Sequence, residues 1–524
     1  MPIHSQPTPI FQATRVVNRA RWAGSVYANF RRDDVLRIVK AVAEVGEETA
    51  RYYADWAVEE TGFGNADHKE LKNRLCSEGI YEYYKDHDFT RHRVDHKRKV
   101  IEIPRPAGVV FALTPSTNPV CSVFFKALLA LMTRNAIVIS PHPAARECCS
   151  DAAHKIAEAA ENAGAPDGVV QVVENPTLEV INGIMSSDGI DVILATGGTP
   201  MVRAAYSSGN PALGVGPGNC PAYVDKTADI ELAAKCIANS KAFDNSVLCT
   251  NESAVIAHKD ISSDLVIALK KEGCYLCTDE ERDRLSEVLF PEGKFDATVI
   301  GQSAEWIAER ARIRVPQNTR VLLVNLERIG DDYVLSREKL CPVLGFYEVA
   351  GRDAAMKSCN AMTRKMGSGH SAAIHCKDPQ MILRFGTELA VLRTPVNAPC
   401  STGASGFDTN LAPTMTVGTG FFGRSSVADN VGPHHLVQWS KIAFSKESEI
   451  DMNEYELIES QPTPKVRYPD EVIDYSFADG FDSQTSGLHS HGNNALTGED
   501  LRAEIHKIIL EEIRSLHLVR ETRY

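Results

Sequence analysis

From Gly108 onward the chain repeats one unit: a short, mostly apolar run, a loop, then a stretch with apolar residues at helical spacing. Val109-Val110-Phe111-Ala112-Leu113, Ala136-Ile137-Val138-Ile139, Val169-Val170-Gln171-Val172-Val173 and Val192-Ile193-Leu194 read as buried strands. Helices are predicted over residues 123–132, 144–163 and 178–185 between them. Strands this apolar, joined by helices, restrict the chain to a parallel sheet covered by helices on both faces. Ligands in such sheets bind beyond the carboxyl ends of the strands. The loops at residues 114–119, 140–143 and 196–199 lie at those ends. A second α/β stretch runs from about residue 251 to about residue 420.

Ahead of the sheet, Val35, Ile38, Val42 and Val45 fall at helical spacing. A basic segment over residues 91–99 then runs into the alternating Val100-Ile101-Glu102-Ile103, which reads as an exposed hairpin. Residues 446–495 are polar, acidic and rich in Ser, Pro, Gly and His. They offer too little apolar surface to offset the entropy of ordering, and read as a linker. Thr497 is a candidate N-cap for a terminal amphipathic helix carrying Leu501, Ile505, Ile508, Ile509, Ile513 and Leu516. The 524 residues include 56 Lys+Arg and 69 Asp+Glu, and the net charge of -13 excludes a generally cationic, nucleic-acid-binding surface. The 13 cysteines lack the dense spacing of a disulfide scaffold. Residues 1–21 lack the continuous apolar stretch and small-residue cleavage site expected of a secretory signal, and the most apolar window, 120–139, is broken by Lys126 and Arg134. A cytoplasmic chain with free thiols and no membrane partner is expected.

Three segments carry chemistry: Thr114-Pro115-Ser116-Thr117-Asn118-Pro119, Gly214-Val215-Gly216-Pro217-Gly218-Asn219, and Phe243-Asp244-Asn245-Ser246-Val247-Leu248-Cys249-Thr250-Asn251-Glu252. In this order they resemble the aldehyde dehydrogenase superfamily, and within it the branch that oxidises aldehydes to acyl-CoA. The resemblance spans most of residues 108–436. It implies an α/β, aldehyde-dehydrogenase-like fold with a Rossmann-type cofactor-binding domain over residues 1–245, including an oligomerisation hairpin at about 91–103. A catalytic α/β domain over 246–425, a return segment over 426–445, the linker over 446–495 and the tail helix over 496–524 complete it. It implies Cys249 as nucleophile, Asn118 as oxyanion donor, and Glu338, in Glu338-Lys339-Leu340-Cys341-Pro342, beside the nicotinamide ribose. Gly197-Gly198-Thr199 resembles the family's loop at a helix N-terminus, which suits a pyrophosphate. Ser140 and His142 lie where hydrolytic relatives place a Lys and a Glu on the adenosine ribose, and Gly216 and Gly218 complete the cofactor side. NAD is the expected cofactor, with NADP the alternative, and coenzyme A the co-substrate. Gly367-Ser368-Gly369-His370-Ser371 and Asn430-Val431-Gly432-Pro433 also resemble acylating members.

A thiolate attacks an aldehyde without prior activation, and the resulting oxyanion needs donors already in place, each worth about 3–4 kcal/mol. Hydrolytic relatives carry a Glu general base in a Glu-Leu-Gly-Gly segment. The corresponding segment here, residues 214–218, offers no carboxylate. Such a base contributes roughly 100- to 10,000-fold, so transfer to CoA is expected over hydrolysis. Acetaldehyde or another short aldehyde is the default substrate. The alternatives are an anionic aldehyde such as sulfoacetaldehyde or succinic semialdehyde, hydrolysis to the free acid, and a non-catalytic scaffold acting through the terminal helix. An anionic substrate would want Arg393 or Arg424 facing Cys249. No metal site is expected: Cys274 with Cys277 and Cys148 with Cys149 read as packing, and His434 and His435, adjacent and so pointing apart, as surface. His370 reads equally well as a ligand contact or a loop support. The terminal helix resembles the encapsulation peptides of enzymes packed into bacterial microcompartments, and a homodimer or homotetramer is expected through the hairpin.

Overall fold

The computed structural model describes residues 8–330, 332–456 and 458. The first repeat forms a five-stranded parallel sheet of β1 (Val109–Leu113), β2 (Ala136–Ser140), β3 (Val170–Val172), β4 (Val192–Ala195) and β5 (Ala212–Gly214), in the order β3-β2-β1-β4-β5. The strand order reverses beside β1, which creates a crevice beyond the ends of β1 and β4, as in dinucleotide-binding sheets. The helix after β1 begins earlier than its periodicity suggested, at Pro119, with Asn118 as its N-cap. A proline in the first turn lacks only an N–H that no helix could use, so it starts the helix without loss. All of Pro119–Met132 is buried, which is why the sequence there is apolar on every side. Its one cation, Lys126, donates to the Leu113 carbonyl at 2.5 Å and the Leu194 carbonyl at 3.1 Å. It thereby ties together the ends of β1 and β4, and burial lowers its pKa to about 7. The helix Arg32–Glu48 buries Val35, Ile38 and Val42 as expected and packs on Pro119–Met132 and Arg146–Asn162. Among the described residues no helix is long and apolar enough to cross a membrane.

The second sheet is also parallel and contains β6 (Cys220–Val224), β7 (Glu252–His258), β8 (Cys274–Leu276), β9 (Val321–Asn325), β10 (Val343–Val349) and β11 (Ala373–His375), ordered β8-β9-β10-β7-β6-β11. Along β7, Ala254 and Ile256 enter one apolar cluster while Val255 and Ala257 enter another, so both faces are covered. The chain passes from the first sheet to the second over residues 215–219, ahead of the boundary near residue 245 that the sequence suggested. The segment that makes this crossing is the glycine-rich loop.

The hairpin is present as Arg93–Asp95 paired antiparallel with Val100–Pro106, and Val437–Ala443 of the return segment adds a third strand. Residues 446–456, expected as linker, fold back onto it. A short helix, Asn453–Glu456, places the Tyr455 carbonyl 2.5 Å from His92 Nε2 and Glu456 Oε1 2.6 Å from His96 Nε2. The remainder of the expected linker, apart from Ile458, and the helix over 496–524 lie outside the described residues.

Arg393 is 3% exposed. Its guanidinium donates to Asn430 Oδ1 at 2.6 Å, to the carbonyls of Gly369 at 3.1 Å, His370 at 3.3 Å and Ala428 at 2.6 Å, and also to that of Gly418. A planar fork with five N–H groups suits this knot of carbonyls, and lysine could not span it. Arg393 is therefore a strut between the loop around Gly369 and the loop from Gly418 to Asn430. Arg393→Met should lower stability by about 3 kcal/mol or more, because several buried acceptors lose their donor at once. Thermal unfolding of the two proteins side by side checks this; an unchanged midpoint would contradict the strut.

Candidate active site

One cavity of about 620 Å³ collects the sequence-predicted residues. Asn118, Ser140, His142, Gly197, Gly198, Thr199, Gly216, Cys249 and Glu338 all line it. The loops after β1, β2 and β4 form one side, and the segment before β7 forms the other. All 13 cysteines are free; Cys249 is half-exposed and the other 12 are buried.

Cys249 follows an unusual turn. Asp244, Asn245 and Ser246 have φ of 49°, 50° and 66°, a left-handed run without a glycine. Asp and Asn tolerate this region better than most residues, yet each such residue still costs about 1 kcal/mol or more. The turn is held from the N-terminal helices. Asp244 Oδ1 accepts from the Asn65 N–H at 2.7 Å, Lys69 Nζ donates to Asp244 Oδ2 at 3.1 Å, and Lys72 Nζ also donates to Oδ2. The Asn245 amide donates to the carbonyls of Gly64 at 3.1 Å and Gly301 at 2.9 Å. Burial would push the Asp244 carboxyl up, but Lys69 and Lys72 outweigh it and hold the pKa below the ordinary value.

Asn118 is held by the same helices. Lys72 Nζ donates to Asn118 Oδ1 at 2.6 Å, while Asn118 Nδ2 donates to Thr117 Oγ1 at 3.2 Å. Opposite, Glu338 Oε1 accepts from the Gly218 N–H at 3.0 Å. The low-polarity surroundings raise the Glu338 carboxyl to about 8, against the opposing pull of His370. Gly218 is required by space: a Cβ there would lie 1.9 Å from the Cys249 carbonyl oxygen. Gly218 is thus a packing partner of the Cys249 backbone, whereas Gly216 lines the cavity itself. Ser140 Oγ is buried with no hydrogen-bond partner among the described residues. His142 is exposed at the rim, and its Nδ1 accepts from the Ala144 N–H at 3.1 Å. Gly198 caps the helix Thr199–Tyr206, and an added Cβ on Gly197 or Gly198 would meet no atom closer than 4.0 or 3.7 Å.

His370 is fully buried, with Nδ1 3.7 Å from Cys220 Sγ; Cys220 in turn donates to the Cys249 carbonyl at 3.4 Å. Burial would lower the imidazole, but the neighbouring sulfurs of Cys249 and Cys220 outweigh it and raise its pKa to about 10. Arg393 and Arg424 do not line the cavity, and among its described lining residues there is no Lys or Arg and no carboxylate other than Glu338. Sequence reasoning missed Lys69, Lys72, Asp244 and Cys220 as parts of the site. The Asp244-Asn245-Ser246 turn lies within the third motif, which carries no signal for the distant lysines. His434 and His435 do not point apart: their rings lie 4.0 Å apart, and with Asp429 each offers one ligand atom within 4.8 Å of the others. None of the three lines the cavity.

Residues 10–287 match the family described as the aldehyde dehydrogenase family. The chain belongs to that family. It is 37% identical over 442 residues to the aldehyde-alcohol dehydrogenase of Clostridium acetobutylicum, a match covering 83% of this chain and 50% of the relative. The chain thus spans about half the length of such relatives. It is 34% identical over 438 residues to the succinate-semialdehyde dehydrogenase (acetylating) of Clostridium kluyveri, covering 83% of this chain and 96% of that one. The crystal structure of an acetylating aldehyde dehydrogenase from Geobacillus thermoglucosidasius superposes with a TM-score of 0.82 at 37% identity, over 84% of this chain and 98% of that one. The fold that frames the cavity is therefore shared with that structure.

With one thiol open to the cavity and the rest buried, native protein treated briefly with iodoacetamide should take up a single carboxamidomethyl group per chain. Intact mass and peptide mapping should place it on Cys249, and Cys249→Ala should take up none on the same timescale. Rapid labelling of a second cysteine would contradict the burial pattern.

Proposed function

We propose that the protein oxidises a short, uncharged aldehyde to its acyl-CoA thioester with NAD, through a covalent thioester on Cys249. The observation that carries this reading is the shared cavity: the one accessible thiol, the Asn118 amide and the loop ends suited to a dinucleotide open on the same space. The residues fit the cofactor. The free Ser140 hydroxyl suits a ribose, and the open Gly197-Gly198 approach to a helix N-terminus suits a pyrophosphate. The Glu338 carboxyl would hold the nicotinamide ribose. Among the described residues no Lys or Arg lines the cavity to receive a 2′-phosphate, which favours NAD over NADP. The first sheet would be the cofactor domain and the second the catalytic domain.

Cys249 Sγ adds to the aldehyde carbon, and the carbonyl pair moves to the oxygen, where Asn118 Nδ2–H donates to it. A nicotinamide held beside Glu338 would supply the hydride acceptor, and loss of hydride from the former aldehyde carbon as C=O re-forms leaves a thioester on Cys249. Attack by the CoA sulfur builds a second oxyanion in the same place, and Cys249 departs as a thiolate beside His370. Aldehyde, CoA thiol and NAD thereby give acyl-CoA, NADH and one proton. Water competes poorly. Glu338 is the one carboxylate lining the cavity among the described residues, and raised to about 8 it keeps its proton most of the time at neutral pH. Absence of a cation from the lining supports an uncharged substrate, since an anionic one would be desolvated without a partner.

NADH formation with acetaldehyde or propanal should fall about 100-fold or more when CoA is omitted and vanish in Cys249→Ala. Sulfoacetaldehyde and succinic semialdehyde should show kcat/KM at least about 10-fold lower, a difference of about 1.4 kcal/mol. Equal rates without CoA would overturn the acyl-transfer reading, and preference for an anionic aldehyde would overturn the substrate class. For the tail we propose an encapsulation helix over residues 496–524 and oligomerisation through the hairpin. Deleting residues 480–524 should leave turnover intact and abolish co-assembly with a microcompartment shell; lost turnover would show that the tail serves the enzyme itself.

A further inference from the structure

Asn118 can serve an oxyanion only if its amide presents nitrogen, not oxygen, to the cavity. A carboxamide has two orientations related by a half-turn of its last torsion, similar in shape and opposite in function. The chain decides between them with a group remote in sequence. Lys72, in the helix Ala66–Arg74, is 2% exposed, and its Nζ donates to Asn118 Oδ1 at 2.6 Å. An ammonium has donors and no acceptor, so the flipped amide would set N–H against N–H in a buried site. The same Nζ donates to Asp244 Oδ2 in the turn before Cys249, and neighbouring Lys69 reaches both that oxygen and the Thr117 carbonyl at 3.2 Å. One buried cation therefore touches the oxyanion residue and the nucleophile's turn together.

We propose that Lys72 is a positioning residue for the reaction: it locks the Asn118 amide with Nδ2 toward the reacting carbonyl and polarises it, through Oδ1, into a stronger donor. This rests on the proposed thioester chemistry at Cys249. A charge-assisted bond to Oδ1 draws electron density away from the amide nitrogen, which strengthens its N–H groups as oxyanion donors. Asp244 keeps Lys72 in place and accounts for one of the charges that burial would otherwise leave unpaired.

The test compares wild type, Lys72→Met, Lys72→Arg, Asn118→Ala and the double variant Lys72→Met/Asn118→Ala, assayed with propanal, NAD and CoA. Lys72→Met should lower kcat about 10- to 100-fold, less than the ~100- to 1,000-fold expected for loss of the amide itself. KM for NAD should stay within about twofold, and Lys72→Arg should recover part of the loss. The double variant should be no slower than Asn118→Ala, because Lys72 acts through that amide. Alkylation of Cys249 by iodoacetamide forms no oxyanion, so its rate in Lys72→Met should stay within about twofold of wild type. A fall in alkylation that matches the fall in kcat would overturn the proposal in favour of a collapsed turn. So would losses that multiply in the double variant, or full activity in Lys72→Met. If Lys72→Met does not fold, Lys72→Gln takes its place: its neutral amide can also accept, so it permits the flip and should show the same kcat loss. An inactive wild type with every aldehyde would instead defeat the underlying functional reading.

Discussion

The carboxylate of Asp244, buried between the ammoniums of Lys69 and Lys72, is the interaction on which the cavity's geometry depends. Remove that charge and two cations are left in the interior, with a left-handed turn that its own residues do not favour. With it in place, the helix Ala66–Arg74 is fixed to the turn before Cys249 and, through Lys72, to the N-cap of the central helix. Two chain segments far apart in sequence, residues 117–118 and 244–249, are thereby set against a third. The N-terminal helices are thus part of the cavity's frame rather than an outer layer.

On the opposite side the frame is steric. Gly218 lies against the Cys249 backbone so closely that no side chain fits. Gly369, at φ +75°, meets the Thr419 carbonyl, where a Cβ would stand at 1.7 Å. These contacts leave the loop bearing His370 little freedom, and Arg393 closes it by taking the carbonyls of Gly369 and His370. His370 is held behind Cys249 by backbone shape and by the Cys220 thiol, not by a carboxylate as in a Ser-His-Asp arrangement.

The sheet and most of the cavity lining were legible in the sequence because their signals are local. Apolar runs such as Val109–Leu113 identify strands that are buried on both faces, and the loops that follow them must lie at one edge of the sheet. What was not legible depends on long-range contacts. Lys72 sits in a helix rich in charged residues, and nothing near it in sequence announces that residues 118 and 244 will arrive to bury it. Arg393 and Arg424 are equal candidates by sequence for pairing with an anionic substrate; the partners of Arg393 are carbonyl oxygens, which sequence does not display. The passage between sheets at residues 215–219 was likewise hidden, since Cys220–Val224 looks the same as a strand of either sheet.

The charge arrangement behind Cys249 also bears on how one site could serve two half-reactions. Burial pulls the His370 imidazole down, and the Cys249 sulfur is the largest influence holding it up. At about 10 the imidazole carries a proton at neutral pH. Were the proposed thioester to form on Cys249, that sulfur would no longer offset burial, the His370 pKa would fall, and the ring would be able to take the proton that the CoA thiol gives up. Glu338 would change in the opposite sense: loss of the imidazolium would weaken the largest influence lowering its pKa, and its carboxyl would keep its proton. Acylation would thus prepare the pocket for a thiol while leaving hydrolysis without a catalyst.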